Sequence, residues 1–299
     1  MCTEGYGRNW YPSKWGADDE IGALGAITPS KVIEAAHLVK KGRTYSLAHV
    51  LEEGIPSLSF HGQFLYTTFR RHSLDLKSPG KVNNAGGMNT RLEMADHTGT
   101  HIDGLNHVSI GERLYNGHIS EEIMGTFGTT KLGIEKTPPI FTRGVLIDVA
   151  SFSKVPVLQG GYAISADEIK NCVDVSHLRI MDGDAVLIRT GWGKHWMSDN
   201  NKFLGPVPGI DLSAAKWLAA QGAVVVGSDT WNVEVDPSKE LRGADEVHQF
   251  LITKSGIRMM ENLFLEEVSR DLVSEFLFVC LPLRIRGGTG SPVTPLAVT

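Results

Sequence analysis

The sequence predicts an α/β domain with a substantially parallel or mixed sheet. Four short apolar runs, rich in β-branched residues, are typical of strands covered on both faces; they span residues 144–150, 184–190, 223–228 and 276–283. Helical segments alternate with them at 165–172, which begins with a Ser-x-x-Glu capping box, at 211–221 and at about 245–254. The sequence shows no internal repeat or Ser/Gly/Pro-rich linker. We therefore predict a single domain over residues 1–299.

Fewer helices and strands are predicted in the N-terminal third of the chain. Residues 1–30 are rich in aromatic residues, Gly and acids, which indicates an irregular arm. A helix is predicted over 31–41 because Thr28-Pro29-Ser30 is a helix start and Gly42 a stop. Alternation predicts a strand over 44–50, and residues 51–90, with several Pro and Gly, are predicted to be a loop. A further strand is predicted over 89–95.

Charge and cysteine content exclude several classes of protein. The chain has 29 Lys and Arg against 34 Asp and Glu, a net charge of −5, so it lacks the broad positive field that binds nucleic acid. Its three cysteines, Cys2, Cys172 and Cys280, are far apart, which argues against a disulfide framework and favours a reducing, cytoplasmic location. We expect no secretory signal and no membrane span, because no apolar run has the required length.

The segment Asp96–His107 (DHTGTHIDGLNH) is the clearest chemical signal. His97, His101 and His107 fall within eleven residues, and Asp103 stands among them, giving the pattern H-x-x-x-H-x-D. Two imidazoles and a carboxylate suit Zn or Mn, and three protein ligands leave positions open for water, as in catalytic sites. Gly99 permits the positive φ of a tight turn between the two histidines. The sequence therefore predicts a catalytic site for a divalent metal, at which water becomes acidic enough to react at neutral pH.

Residues 97–107 also match the signature H-x-G-T-H-x-D-x-x-x-H, and similarity continues at 15–22, 189–192, 227–230, 261–263 and 290–292. On these motifs the chain resembles the cyclase family of metal-dependent hydrolases, which includes bacterial kynurenine formamidases and isatin hydrolases. Leu105 departs from the Pro that many members have. The resemblance implies a swivelling β/β/α fold with a mixed sheet flanked by helices, and a homo-oligomer, either a dimer or a tetramer.

The resemblance also implies roles for individual residues. His97, His101 and Asp103 would ligate a metal, and His107 would be the acid/base residue beside it. His248 and Glu261 match the ligands of a second metal, with Asp103 bridging, so one or two Zn or Mn ions are expected. The implied mechanism is attack of metal-activated water on a carbonyl, with His107 passing the proton to the leaving group.

The substrate is expected to be a small aromatic or cyclic molecule. Phe60, Phe64, Tyr66 and Trp231 are candidate walls for a flat ring, as is Phe69, and His61 is a candidate polar contact. The leading interpretation is hydrolysis of a carbonyl–nitrogen bond in an aryl formamide or cyclic amide.

Three alternatives stay open. A lactone or ester hydrolase would use the same metal site. A metal-binding ligand carrier would need no proton shuttle such as His107. A Ser or Cys hydrolase is disfavoured, because the sequence has no G-x-S-x-G and no recognisable Cys nucleophile motif.

Overall fold

The computed structural model describes residues 10–72, 83, 85–237 and 245–299. In these ranges the strands are β1 Thr44–Ser46, β2 Leu65–Arg70, β3 Asn89–Glu93, β4 His101–Asp103, β5 Met124–Gly125, β6 Gly128–Thr129, β7 Ile140–Asp148, β8 Ala163–Ile164, β9 Ala185–Arg189, β10 Gly209–Ile210, β11 Val225–Ser228, β12 Arg258–Glu261, β13 Glu275–Cys280, β14 Gly290–Pro292 and β15 Leu296–Val298. The α-helices are α1 Pro29–Ala36, α2 Ser120–Ile123, α3 Val149–Phe152, α4 Ala166–Val175, α5 Asn200–Phe203, α6 Leu212–Ala220, α7 Glu246–His248 and α8 Glu266–Arg270. The 3-10 helices are Gly22–Ala26, Tyr115–Gly117, Ile134–Lys136 and Trp192–His195, and a π-helix, Gln249–Lys254, continues α7.

One large mixed sheet organises the described part of the chain. Its nine strands lie in the order β1-β15-β13-β7-β9-β11-β12-β4-β14. The central run from β7 through β9 and β11 to β12 is parallel, and the pairs on either side of it are antiparallel. Helix α1 packs on β7 and β13, and α4 packs on β7 and α6. The predicted α/β class and the mixed sheet flanked by helices are thus confirmed.

The long helices begin at side-chain caps that the sequence contains. The side chain of Ser165 accepts a hydrogen bond from the Glu168 amide at the start of α4, and that of Asp211 accepts one from the Ala214 amide at the start of α6. The strands that follow these helices, β9 after α4 and β11 after α6, are buried along their whole length. Their apolar runs therefore form the centre of the sheet, as continuous β-branched segments do in parallel sheets.

Several predicted boundaries were wrong. Strand β7 begins at Ile140, four residues before its predicted start at 144, because its antiparallel ladder with β13 extends to the pair of Ile140 and Cys280. It ends at Asp148, whose side chain caps α3 by accepting from the Ser151 amide. Strand β13 ends at Cys280 and not at residue 283, two residues before Pro282, which cannot donate to a ladder. Helix α1 covers only Pro29–Ala36, and β1 ends at Ser46, where its partner β15 begins.

Two further segments differ from the sequence prediction. The helix expected at about 245–254 has a single α-helical turn and continues as a π-helix. The predicted loop 51–90 contains β2, which pairs with β3 in a two-stranded ribbon whose strand residues are all exposed. Part of that loop, residues 73–82 and 84, lies outside the described residues. The sequence missed β2 because neither face of the ribbon is buried, so its apolar residues do not alternate.

Within the described ranges, no helix combines the length and apolar character needed to cross a bilayer. Cys172 and Cys280 are both buried, unpaired thiols, and burial raises the pKa of each to about 12. Cys2 lies outside the described residues.

Candidate metal centre

The centre of the site is the three-residue strand β4, which lies between β12 and β14. Because side chains alternate along a strand, His101 and Asp103 project to the same face. Ile102, between them, is fully buried in the apolar core. Glu261 of β12 is the register partner of His101, so it adds a carboxylate beside the imidazole. The sheet thus brings together three of the residues expected to bind metal, two from one strand and one from its neighbour.

His97 reaches this face from a tight turn that precedes β4. Gly99 has a φ of +65°, as its glycine predicted, and a Cβ there would lie 2.4 Å from the Leu51 side chain. The His97 ring is held through Thr289: His97 Nε2 lies 3.0 Å from Thr289 Oγ1, and that hydroxyl donates to Asp96 Oδ2 at 2.9 Å. With its proton on Nε2, His97 directs the free lone pair of Nδ1 toward Asp103, whose Oδ1 is 3.0 Å away.

The ligand atoms of His101 and Asp103 fit a cation. His101 Nδ1 donates to the Gly99 carbonyl at 2.8 Å, so in the neutral imidazole the lone pair lies on Nε2. His101 Nε2 and both carboxylate oxygens of Asp103 are buried and lack a hydrogen-bond partner in the described structure. Polar atoms buried in this way are strongly destabilising unless something satisfies them, and a nitrogen and carboxylate oxygens are donors that Zn or Mn accepts.

A second group of possible ligands lies beside the first. One ligand atom from each of Asp103, His248 and Glu261 lies within 4.8 Å of the others, and the same holds for His97, Asp103 and His107. His248 Nε2 is 3.3 Å from Glu261 Oε1, and His101 Nε2 is 3.4 Å from Glu261 Oε2. All six residues expected at the metal site are therefore within one cluster, and Asp103 belongs to both groups.

His107 is positioned for either of two roles. Its ring centroid lies 4.1 Å from that of His97 and 6.4 Å from that of His248. Burial lowers the pKa of His107 to about 4, against the attraction of Asp103. Its imidazole is thus neutral at pH 7 and can accept a proton. Its ligand atom is also close enough to those of His97 and Asp103 for it to bind the cation directly.

For four other ionisable groups of the cluster, burial and the neighbouring charges shift the pKa in opposite directions. Burial by itself would lower the pKa of His101, but Glu261 and Asp103 raise it to about 9. His248 behaves in the same way: Glu234 and Glu261 outweigh burial and raise its pKa well above 6.5. Burial would raise the pKa of Asp103 and of Glu261, but the neighbouring imidazoles hold both below their usual range. In the protein without metal, imidazolium ions therefore balance the carboxylates.

Glu234 was missed by the sequence analysis. It is 2 % exposed and accepts a hydrogen bond from His248 Nδ1. It also accepts from the Val247 amide at 3.2 Å. This contact fixes the tautomer of His248, with Nε2 facing Glu261, as carboxylates behind metal-binding histidines commonly do. No local spacing could have found it, because Glu234 lies 14 positions before His248 and outside the helices and strands.

A small cavity opens onto the cluster. His61, His97, His101, Glu261 and Trp231 are among its lining residues, and its volume is about 20 Å³, room for about one water molecule. Trp231 donates its indole N–H to the Gly205 carbonyl at 3.0 Å, which fixes the ring in the wall.

The other four candidate aromatic residues, Phe60, Phe64, Tyr66 and Phe69, do not line this cavity. Phe60 is 78 % exposed and Tyr66 is 57 % exposed, and Phe69 on the same ribbon is also exposed. Phe64 is buried in a satellite core with Trp192, Trp196 and Phe203. Their aromatic side chains suggested walls of a substrate pocket. Tyr66 and Phe69 are instead exposed to solvent on strand β2 of the ribbon.

Comparison with known proteins gives consistent matches. A family model described as "Putative cyclase" matches residues 45–235. The kynurenine formamidase of Bacillus cereus is 26% identical over 212 residues, covering 70% of this chain and 79% of that protein. The isatin hydrolase of Roseibium aggregatum is 24% identical over 215 residues, covering 69% of this chain and 73% of that protein. The crystal structure of a novel cyclase superposes with a TM-score of 0.87 at 31% identity, covering 96% of this chain and 98% of the other.

Proposed function

The chain belongs to the cyclase family, and we propose that it is a metal-dependent hydrolase that cleaves a carbonyl–nitrogen bond in an aryl formamide or a cyclic amide. The observation that carries the proposal is the set of buried ligand atoms that make no hydrogen bond in the described structure: His101 Nε2 and both oxygens of Asp103. The relatives named kynurenine formamidase and isatin hydrolase support the choice of bond.

His97, His101 and Asp103 would hold one divalent ion, either Zn or Mn. Asp103, His248 and Glu261 would hold a second if one binds, with Asp103 as the shared ligand. A bound divalent cation supplies Lewis acidity, which polarises a carbonyl oxygen and lowers the pKa of water. Glu234 keeps His248, and Thr289 keeps His97, in the tautomer that would present a lone pair to a bound ion.

His107 is the proposed acid/base residue. Because its imidazole is neutral at pH 7, it takes the proton of the attacking water and returns it to the leaving nitrogen. Trp231 supports the flat part of the substrate as one wall of the cavity. Phe60, Phe64 and Tyr66 stay candidates for substrate contact only if the loop and ribbon that carry them come closer when substrate binds.

A homo-oligomer, either a dimer or a tetramer, is part of this proposal. The β2–β3 ribbon carries exposed apolar residues on both strands, among them Tyr66, Phe69 and Leu92. An isolated two-stranded hairpin is marginally stable in water, so contact with another subunit would stabilise it. The cytoplasmic location stays a prediction from the cysteine content.

The test pairs elemental analysis of the untagged protein with turnover. A panel of N-formyl aromatic amines, isatin-like lactams and small lactones is assayed before chelation, after it and after addition of Zn or Mn. We expect amide turnover that disappears on chelation and returns with metal. Full activity after verified metal removal contradicts the proposal, and turnover of lactones alone favours the ester or lactone hydrolase that shares these residues.

A further inference from the structure

A fifth histidine, outside both groups of possible metal ligands, lies over the cluster. The ring of His61 stacks on that of His97, with centroids 5.6 Å apart and planes 21° from parallel. His61 also lines the cavity that His101 and Glu261 reach from the sheet. Within the described structure no hydrogen bond is found for its ring nitrogens. A neutral imidazole has one donor and one acceptor, so His61 has both to offer a ligand.

The segment that carries His61 is a short loop between two buried anchors. Ile55 and Phe64 belong to the satellite core with Trp192, Trp196 and Phe203. Between them the His61 amide donates to the Leu58 carbonyl at 2.9 Å, and the Ser57 hydroxyl donates to the Gly62 carbonyl. The tip is exposed, with Phe60 78 % accessible. The loop is thus held by its own turn and its ends, and its middle can move without breaking the core.

The size of the cavity requires such a movement. Pockets for small molecules are commonly about 300–1,000 Å³, whereas this one has about 20 Å³. Two other lining residues are held in place: Phe203 is fully buried, and the indole of Trp231 is hydrogen-bonded. The lining residues of the loop, Ser57, Leu58 and His61, are therefore the ones expected to give way when a ring enters.

We propose that His61 is a substrate-contacting, specificity-determining residue: the loop over residues 57–63 opens to admit a small aromatic amide and closes on it, and the His61 imidazole then hydrogen-bonds a polar group that the substrate carries beside the scissile carbonyl. This inference rests on the proposed function for its substrate class. The hydrogen bond from His61 would select aromatic amides with a polar ortho substituent over those without one.

Two substitutions separate this role from simple shielding of His97. His61→Phe keeps a flat ring against His97 and removes both nitrogens, and His61→Asn keeps a donor and an acceptor without the ring. His37→Phe, on an exposed histidine just after α1, is the matched control. Metal content of all variants is measured by elemental analysis and is expected to equal that of the wild type.

The turnover test compares N-formylaniline with N-formyl-2-aminobenzoate. We expect His61→Phe to lower kcat/KM for the ortho-substituted substrate about 10-fold, mainly through KM, because one hydrogen bond is lost. The unsubstituted substrate should change less than about 2-fold, and His61→Asn should recover part of the loss. Equal effects of His61→Phe on both substrates, or no effect on either, overturn the proposal.

A binding test does not depend on turnover. Calorimetric titration of aniline and of 2-aminobenzoate into the metal-loaded wild type should show tighter binding of the probe that carries the ortho carboxylate, and His61→Phe should abolish that preference. If the wild type hydrolyses no amide, the proposed function fails, while these titrations still decide the role of His61. The proposed role of His61 is contradicted if the wild type and His61→Phe prefer the ortho-substituted probe equally, or if the wild type shows no preference for it.

Discussion

His101 and Glu261 face each other across the antiparallel pair β4–β12, with His101 Nε2 3.4 Å from Glu261 Oε2. Both side chains are buried. The carboxylate raises the pKa of His101 to about 9, so the imidazole of the metal-free protein is protonated at pH 7. His248, also next to Glu261, has its pKa raised well above 6.5 for the same kind of reason. Metal ions that bind these two imidazoles must displace a proton from each.

Metal binding should therefore release protons. At pH 7 we expect up to two protons to leave as Zn or Mn is titrated into chelated protein, and the apparent affinity to fall as the pH drops, because protons compete with metal below the raised pKa values. A pH indicator dye in weakly buffered solution measures the release. The titration repeated near pH 9 should release fewer protons. Metal uptake with no proton release at pH 7 would mean that these imidazoles are already neutral.

Loss of a central ligand should remove the metal. His101→Ala deletes a buried nitrogen, and Asp103→Asn replaces a carboxylate oxygen by an amide of the same shape. We expect each to weaken metal binding more than about 100-fold and to abolish turnover, since even outer residues of a metal site contribute 10–100-fold. Elemental analysis and circular dichroism distinguish this from unfolding. His37→Ala and Asp167→Asn, both at exposed positions, are the controls. A His101→Ala protein with full metal and full activity contradicts the site.

His107 should affect the rate more than the metal. His107→Ala is expected to keep the metal content and to lower kcat by about 10²–10⁴-fold, the usual contribution of a general acid–base group. Elemental analysis and steady-state kinetics on the same preparation give both numbers. Loss of metal together with activity would instead make His107 a ligand, a role that its distance to His97 and Asp103 permits.

How far the sequence could predict the site depends on where its residues come from. His97, His101, Asp103 and His107 lie in one segment, so their spacing alone predicted a metal site. His248 and Glu261 came only from the family resemblance, because the ladder that brings Glu261 to His101 is formed between β12 and β4, distant in the chain. Glu234 and the hydroxyl of Thr289 were not found at all. Thr289 holds the ring of His97 from 192 positions further along the chain, which no local spacing could have indicated.

The buried carboxylate of Glu234 gives a prediction for the second group of ligands. Glu234→Gln keeps the shape and can still hydrogen-bond His248 Nδ1, but the negative charge that orients and polarises the imidazole is lost. We expect about 10–100-fold weaker binding of the ion held by His248 and Glu261, with the other ion retained. Metal stoichiometry measured across a chelator series should fall from two to one if two ions bind. Glu267→Gln, outside the cluster on α8, is the control. Unchanged affinity and stoichiometry would make Glu234 a purely structural residue.

Gly290 is where the main chain of β14 touches the ring of His97. A Cβ at this position would lie 2.8 Å from His97 Cε1 and 3.0 Å from Nε2, closer than real Cβ atoms come. Gly290→Ala must therefore push the imidazole away from Thr289 and Asp103, or shift β14. Overpacking of this kind destabilises by about 1–3 kcal/mol, and loss of the Thr289 contact should weaken metal binding about 10-fold. Gly86→Ala, where a Cβ would meet only ordinary contacts at 3.4 Å and beyond, is the matched control. The two variants are compared by thermal unfolding and by metal titration. If Gly290→Ala has the same stability and metal affinity as Gly86→Ala, the ring of His97 is not held by its packing against β14.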